Sequence, residues 1–297
     1  MGPSIEPVSQ LDPPRPAAQF PKYWWTLVVW LGVVLALSAY PVLERLVRQW
    51  STDDDMGHGF FVPLVAGYIA WQQRDRLAAI QWQPNWLGLA AAILAGCGMI
   101  IGNLAAEMFL SRIAILGSVV GSVVFLGGFQ AARALAFPLF LLVFMIPLPG
   151  VVYYQITFPL QLLASQVAEA SLRLLDIPVI RDGNILELAS QRLSVVEACS
   201  GIRSLLSLTF LSLVYGYFFD GRAWMRYLLF FATLPIAIAA NASRVTITGL
   251  LSEMKPEYAQ GAYHSASGWV IFMVALFMLV SVHQVVGRVY DWTHGKR

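Results

Sequence analysis

The sequence predicts an all-α fold, a polytopic integral membrane protein with about eight transmembrane helices and an interfacial amphipathic helix on the outer side. Three observations carry that expectation. Of the 297 residues, 58% are hydrophobic and only 12% charged; a soluble domain carries about 25% charge, so this chain lacks the polar surface to cover itself in water. Apolar runs of the roughly 17–25 residues that cross a bilayer recur along its length. Trp24, Trp25, Trp82, Trp86 and Trp224 sit near the ends of those runs, where amphipathic rings anchor at the interface. The expected organisation is a disordered cytoplasmic tail over residues 1–22, one membrane domain over 23–290 and a short cytoplasmic tail over 291–297.

Taken in order, the first span is Tyr23 to Leu43. Gly59 to Trp71 is a shorter second, extended by Gln72 and Gln73 and stopped by Arg74-Asp75-Arg76. Trp86 to Ala106 is rich in Gly and Ala, which allow close helix approach. Ile113 to Phe129 and Ala134 to Pro147 follow, the latter ending in Ile146-Pro147-Leu148-Pro149-Gly150. Ser200 to Phe219, Tyr227 to Leu250 and Ser267 to Val286 complete the eight. Between Val151 and Ala198 the pattern is mixed. Leu160, Leu163, Val167, Ala170, Leu174 and Leu175 recur at helical spacing with polar residues between them, which predicts a helix lying in the interface. Leu186 to Val196 alternates like a short strand.

Net charge is +2 with no basic run, which excludes nucleic acid as a partner. Two cysteines supply neither a disulfide framework nor metal-ligand spacing, and no metal or cofactor is expected. Eight spans place both termini on one side. The basic stops Arg74/Arg76, Arg133 and Arg222/Arg226 fall in short loops of that same side, which assigns it to the cytoplasm.

Cys97 lies among small apolar residues and reads as a packing residue. Cys199 differs: Glu197, Ser200, Arg203 and Ser204 surround it at the junction of a polar and an apolar segment. The predicted topology brings Cys199, Arg244 near the outer end of the seventh span, and His264 ahead of the eighth to the same outer side. An arginine within an apolar span costs roughly 2.5–3.5 kcal/mol on insertion scales, so it needs an anionic partner or a function. A thiol, an imidazole and a guanidinium together suit acyl transfer: thiolate nucleophile, acid/base and oxyanion stabiliser. Structural alternatives stand beside each reading. His264 alone suits a cap or interfacial role, and Arg244 alone suits an ion pair with Glu197 or Glu107.

Glu197-Ala198-Cys199-Ser200-Gly201-Ile202-Arg203-Ser204, Asn241-Ala242-Ser243-Arg244-Val245 and His264-Ser265-Ala266-Ser267-Gly268-Trp269 resemble the ordered motifs of exosortases and archaeosortases. Asp55-Met56-Gly57-His58-Gly59-Phe60-Phe61-Val62-Pro63 is similar to that family's first outer loop. The resemblance runs from about Ser51 to Val286. It implies a multi-spanning cysteine transpeptidase of the bacterial inner membrane with its active site facing the periplasm. Its partners would be exported proteins bearing a C-terminal sorting tail (a short motif, a hydrophobic helix and a basic cluster), membrane lipid, and an acceptor nucleophile of unknown identity. It also implies a link to surface sorting and exopolysaccharide production. By position, Cys199 would be the nucleophile, Arg244 the electrostatic stabiliser and His264 the acid/base.

Supporting residues are expected nearby. Glu197 would hold Arg244 or Arg203, Ser200 would cap or face the site, and Asn241 would orient His264, bind substrate backbone or bridge two helices. His58, just after Asp53-Asp54-Asp55, reads first as a helix-terminal neighbour and second as a substrate-positioning residue. The competing function is a transporter, flippase or scaffold component of an exopolysaccharide export machine. No inverted repeat and no matching pair of broken helices favours transport.

Overall fold

The computed structural model describes residues 22–80, 83, 85–195, 202–255 and 261–295, and the observations below concern those residues. The chain is an all-α polytopic membrane protein with one small sheet. It divides into two compact units: Met1–Leu46 with Leu64–Val143, and Val47–Pro63 with Phe144–Arg297.

Helix α1 (Lys22–Thr52) begins in the first unit and ends in the second, which also holds the 3-10 turn Asp54–Phe60 and the first residues of α2 (Phe61–Gln72); the rest of α2 and α3 (Arg74–Ala79) belong to the first unit. Next come α4 (Trp86–Leu104) and α5 (Met108–Ala134), an antiparallel pair, and then α6 (Ala136–Leu141). Asn85 and Glu107 cap α4 and α5, their side chains accepting from the amides of Leu87 and Phe109 at 2.9 and 3.1 Å. The α4–α5 contact is made by missing side chains. A Cβ on Gly88 would fall on the Phe125 backbone, and one on Gly121 would lie 2.6 Å from the Ala92 amide nitrogen. Such close approach is how helices associate where lipid removes the hydrophobic driving force.

In the second unit, α7 (Gly150–Leu174) leads into an antiparallel meander of β1 (Val179–Asp182), β2 (Ile185–Leu188) and β3 (Arg192–Ser194). Helices α8 (Ile202–Phe219), α9 (Ala223–Met254) and α10 (Gly261–Thr293) follow. Leu208, Met225, Leu229, Ile236, Ala275 and Leu279 form the core among these three helices. At one end of that bundle Asp220 gathers Arg222, at 3.2 Å, and His283 Nε2, at 3.0 Å, while Tyr215 lies 2.9 Å from His283 Nδ1. Burial opposes that carboxylate's charge, but the Arg222 amide, His283 and the Arg222 guanidinium outweigh it and hold the Asp220 pKa below the usual range.

The expected eight spans are not all confirmed. Among the described residues five helices are long and apolar enough to cross a membrane: α4, α5, α8, α9 and the Ala266–Thr293 stretch of α10. A sixth arises if Ala136–Met145 and Gly150–Leu174, bent by 83° at their break, count as one broken span. The first expected span lies in α1, whose side chains are only partly described and which that count leaves out. The second expected span is the 12-residue α2, about 18 Å long and short of a hydrocarbon core of about 30 Å. The fifth is interrupted at Ile146–Pro149, where prolines withdraw backbone donors.

The interfacial helix expected at about Leu160–Leu175 is not a separate element but the second half of α7. Its apolar stripe faces outward: Leu163, Val167, Leu174 and Leu175 are exposed, whereas Gln161, Ala164, Ser165, Ala168 and Leu172 are buried. The polar pair holds the β1–β2 turn. Gln161 Oε1 accepts from Asn184 Nδ2 at 3.1 Å, and Ser165 Oγ donates to the Gly183 carbonyl at 2.9 Å. The strand expected within Leu186–Val196 is β2 and β3 together.

Gly88→Ala and Gly121→Ala are each expected to lower the thermal unfolding temperature of the detergent-solubilised protein, through overpacking of about 1–3 kcal/mol. Gly96→Ala, where a Cβ meets nothing within 4 Å, is expected to leave it unchanged.

Candidate active site

The site is approached through a helix end that needs capping. The turn following α6 stops at Met145, and Pro147 and Pro149 then offer no backbone N–H, so its last carbonyls lack helical partners. Two side chains of the 50–58 segment supply them. Trp50 Nε1 donates to the Met145 carbonyl at 2.9 Å, and His58 Nε2 lies 3.1 Å from the Phe144 carbonyl. Gly59 makes this possible, since a Cβ there would fall inside the Trp50 indole.

The segment's own shape is local. Asp53 caps the 3-10 turn Asp54–Phe60 by accepting from the Asp55 amide at 3.0 Å. Asp55 is thereby aimed at two other elements. Its Oδ1 pairs with Arg203 Nε at 3.2 Å, and its Oδ2 accepts from the Tyr153 hydroxyl at 2.7 Å. Arg203 stands on the first turn of α8, four residues after Cys199. One turn further, Ser207 Oγ lies 3.5 Å from His58 Nδ1. The donation from Nε2 to a carbonyl fixes His58 in its Nε2–H tautomer, with Nδ1 as acceptor. Burial holds the His58 pKa below the ordinary 6.5, against opposite pulls from the Phe144 carbonyl and from Asp55.

Arg244 lies on α9, three residues after Asn241. The meander supports this part of the helix: Leu186, Leu193 and Val195 pack with Ala168 and Leu172 of α7 and with Ala242 and Val245 of α9. The Arg244 guanidinium rests against Gly268 of α10, where a Cβ would lie 3.0 Å from Nη2. Backbone position 264 falls one turn before Gly268 on that helix. Asn241 lines a cavity of about 10 Å³ with Leu160, Leu205, Leu234, Ala237 and Ile238. Its Nδ2 is buried and, among the described residues, makes no hydrogen bond.

Of the sequence-predicted residues, the structure thus brings Arg203 and His58 into one cluster and sets Asn241 and Arg244 on successive turns of α9. Cys199, Glu197 and Ser200 lie outside the described residues, as does the side chain of His264. Asp55 and Tyr153 are site neighbours that sequence reasoning missed; the signal for Asp55 was its place in the loop motif beside His58.

Because folded His58 holds its proton less tightly than an unfolded histidine, acid favours the unfolded state. Stability is complete above about pH 6.5 and declines as pH falls below it. The thermal midpoint of the wild type is therefore expected to drop from pH 7 to pH 5 by more than that of His58→Gln, which does not titrate; parallel curves would refute this.

Comparison with protein-family models matches residues 50–281 to the family described as Transmembrane exosortase. No curated protein matches the chain, and no solved structure does.

Proposed function

The chain belongs to the transmembrane exosortase family, and on that basis we propose that it is a membrane cysteine transpeptidase that cleaves C-terminal sorting signals of exported proteins. The observation that chiefly supports this reading is the extent of the family match. Residues 50–281 take in the loop around His58 and the segments bearing Cys199, Arg244 and His264.

The chemistry follows from those side chains. The Cys199 thiolate attacks the scissile carbonyl, and Arg244 stabilises the oxyanion of the tetrahedral intermediate. The intermediate collapses to a thioester as the C–N bond breaks, and His264 protonates the departing amine. An acceptor nucleophile at the outer surface then attacks the thioester, yields its proton to His264 and releases the thiolate. Asn241, whose buried Nδ2 makes no hydrogen bond among the described residues, is suited to bind substrate backbone. The substrate is an exported protein with a hydrophobic tail, which approaches through the lipid of the inner membrane and meets the site at its outer, periplasmic face. Surface sorting and exopolysaccharide production are the processes such an enzyme would serve.

Coexpression with a tailed substrate tests this reading through the mass of the product. Cys199→Ser and Cys199→Ala are expected to abolish processing while the protein still accumulates in the membrane, because an alcohol is a far weaker nucleophile than a thiolate at neutral pH. Wild-type turnover in Cys199→Ser would eliminate the covalent mechanism, and absence of processing by the wild type would favour a transport or scaffold role. Arg244→Lys is expected to bind the tailed substrate yet process it roughly 100- to 1000-fold more slowly, since a point charge replaces a planar two-donor fork. Full activity of this variant would reduce Arg244 to a generic charge.

A further inference from the structure

We propose that Asp55 is a positioning residue: through Arg203 it holds the first turn of α8, and with it the approach to Cys199, in the setting that turnover requires. The inference rests on the cysteine mechanism proposed above.

An ion pair on a helix surface normally contributes little, because water screens it and two long side chains must be ordered. Three features distinguish this one. The Asp55 side chain is only 14% exposed, against 43% for Arg203. Its two oxygens are used by different helices, Oδ1 by Arg203 of α8 and Oδ2 by Tyr153 of α7, across sequence separations of 148 and 98 residues. And the carboxylate is presented by a turn capped by Asp53 and anchored on either side, by Trp50 on Met145 and His58 on Phe144. A carboxylate so fixed orients the guanidinium it meets. Arg203 contacts it through Nε, the innermost of its donors, so the orientation is imposed close to the α8 backbone. A shift of about 1 Å in a reacting group is enough to slow catalysis on the order of 100-fold. The tie to Asp55 therefore belongs to the reaction geometry and not only to folding.

The test uses the full-length protein in membranes with a tailed substrate, turnover being normalised to the amount of folded enzyme. Asp55→Asn is expected to lower kcat by about 10- to 100-fold, as loss of an orienting partner does, with KM unchanged. Asp55→Glu is expected to recover part of that loss. Tyr153→Phe, which removes one hydrogen bond and no charge, is expected to lower kcat by a smaller factor. A purely structural role would reduce the quantity of folded enzyme and leave kcat per molecule intact, and that result overturns the proposal. So does a rise in KM at constant kcat, which would put Asp55 on the substrate. If Asp55→Asn fails to accumulate, wild-type kcat in both Asp55→Glu and Tyr153→Phe overturns it equally. Cys199→Ala is run alongside. Processing by that variant removes the cysteine mechanism and this inference together, whereas an inactive Cys199→Ala beside a fully active Asp55→Asn removes the inference alone.

Discussion

The carbonyls of Phe144 and Met145 impose the constraint from which much of the second unit follows. A helix that stops within an apolar stretch leaves acceptors that lipid cannot satisfy, and the prolines at 147 and 149 ensure that the following backbone does not satisfy them. The indole of Trp50 and the imidazole of His58 do so instead. That demand fixes where the 50–58 segment lies. Once it is docked, Asp55 falls between Tyr153 and Arg203, and the ends of α7 and α8 are tied to one carboxylate. Glycine at 59 is a condition of the whole arrangement, because the indole occupies the space a side chain would need.

What was legible in the sequence was what depends on length and apolarity alone. The runs beginning at Trp86, Ile113, Ser200, Tyr227 and Ser267 are uninterrupted and long, and among the described residues each coincides over most of its length with a helix able to cross a bilayer. The run from Ala134 has the same composition as a complete span, and only the break at Ile146–Pro149 tells the two apart. The faces of α7 were illegible for a related reason. Helical spacing shows that a stripe exists, but in a membrane the apolar side turns outward, and Gln161 and Ser165 turn inward to hold the β1–β2 turn. The meander escaped notice except for its last part, because strands of three or four residues give too little alternation to read.

The loop and helix motifs were readable as a set of chemical groups, and the family match covers them. Their contacts were not readable. Asp55 is one of three consecutive aspartates, and nothing in Asp53-Asp54-Asp55 says which caps the turn and which reaches across to α8; docking decides it. A similar contrast separates two arginines of α9. Arg226 spends its donors on the carbonyls of Gly216 and Asp220, at 2.9–3.1 Å, where α8 ends. It is thus absorbed as a C-terminal cap. Arg244 sits where the same helix is backed by the meander and faces α10.

The contact between Arg244 and Gly268 also acts as a keyway. The guanidinium fills the notch left by a missing side chain, with 3.0 Å between Nη2 and the place a Cβ would take. Turning α10 about its axis by one residue, about 100°, would bring the side chain of Ser267 or Trp269 to that notch, and the guanidinium would have to shift to admit it. Trp269, 72% exposed where it stands, would also have to leave its outward position. The missing side chain at 268 therefore favours the observed rotational setting of helix α10 beside α9, and every backbone position on its first turns inherits that setting.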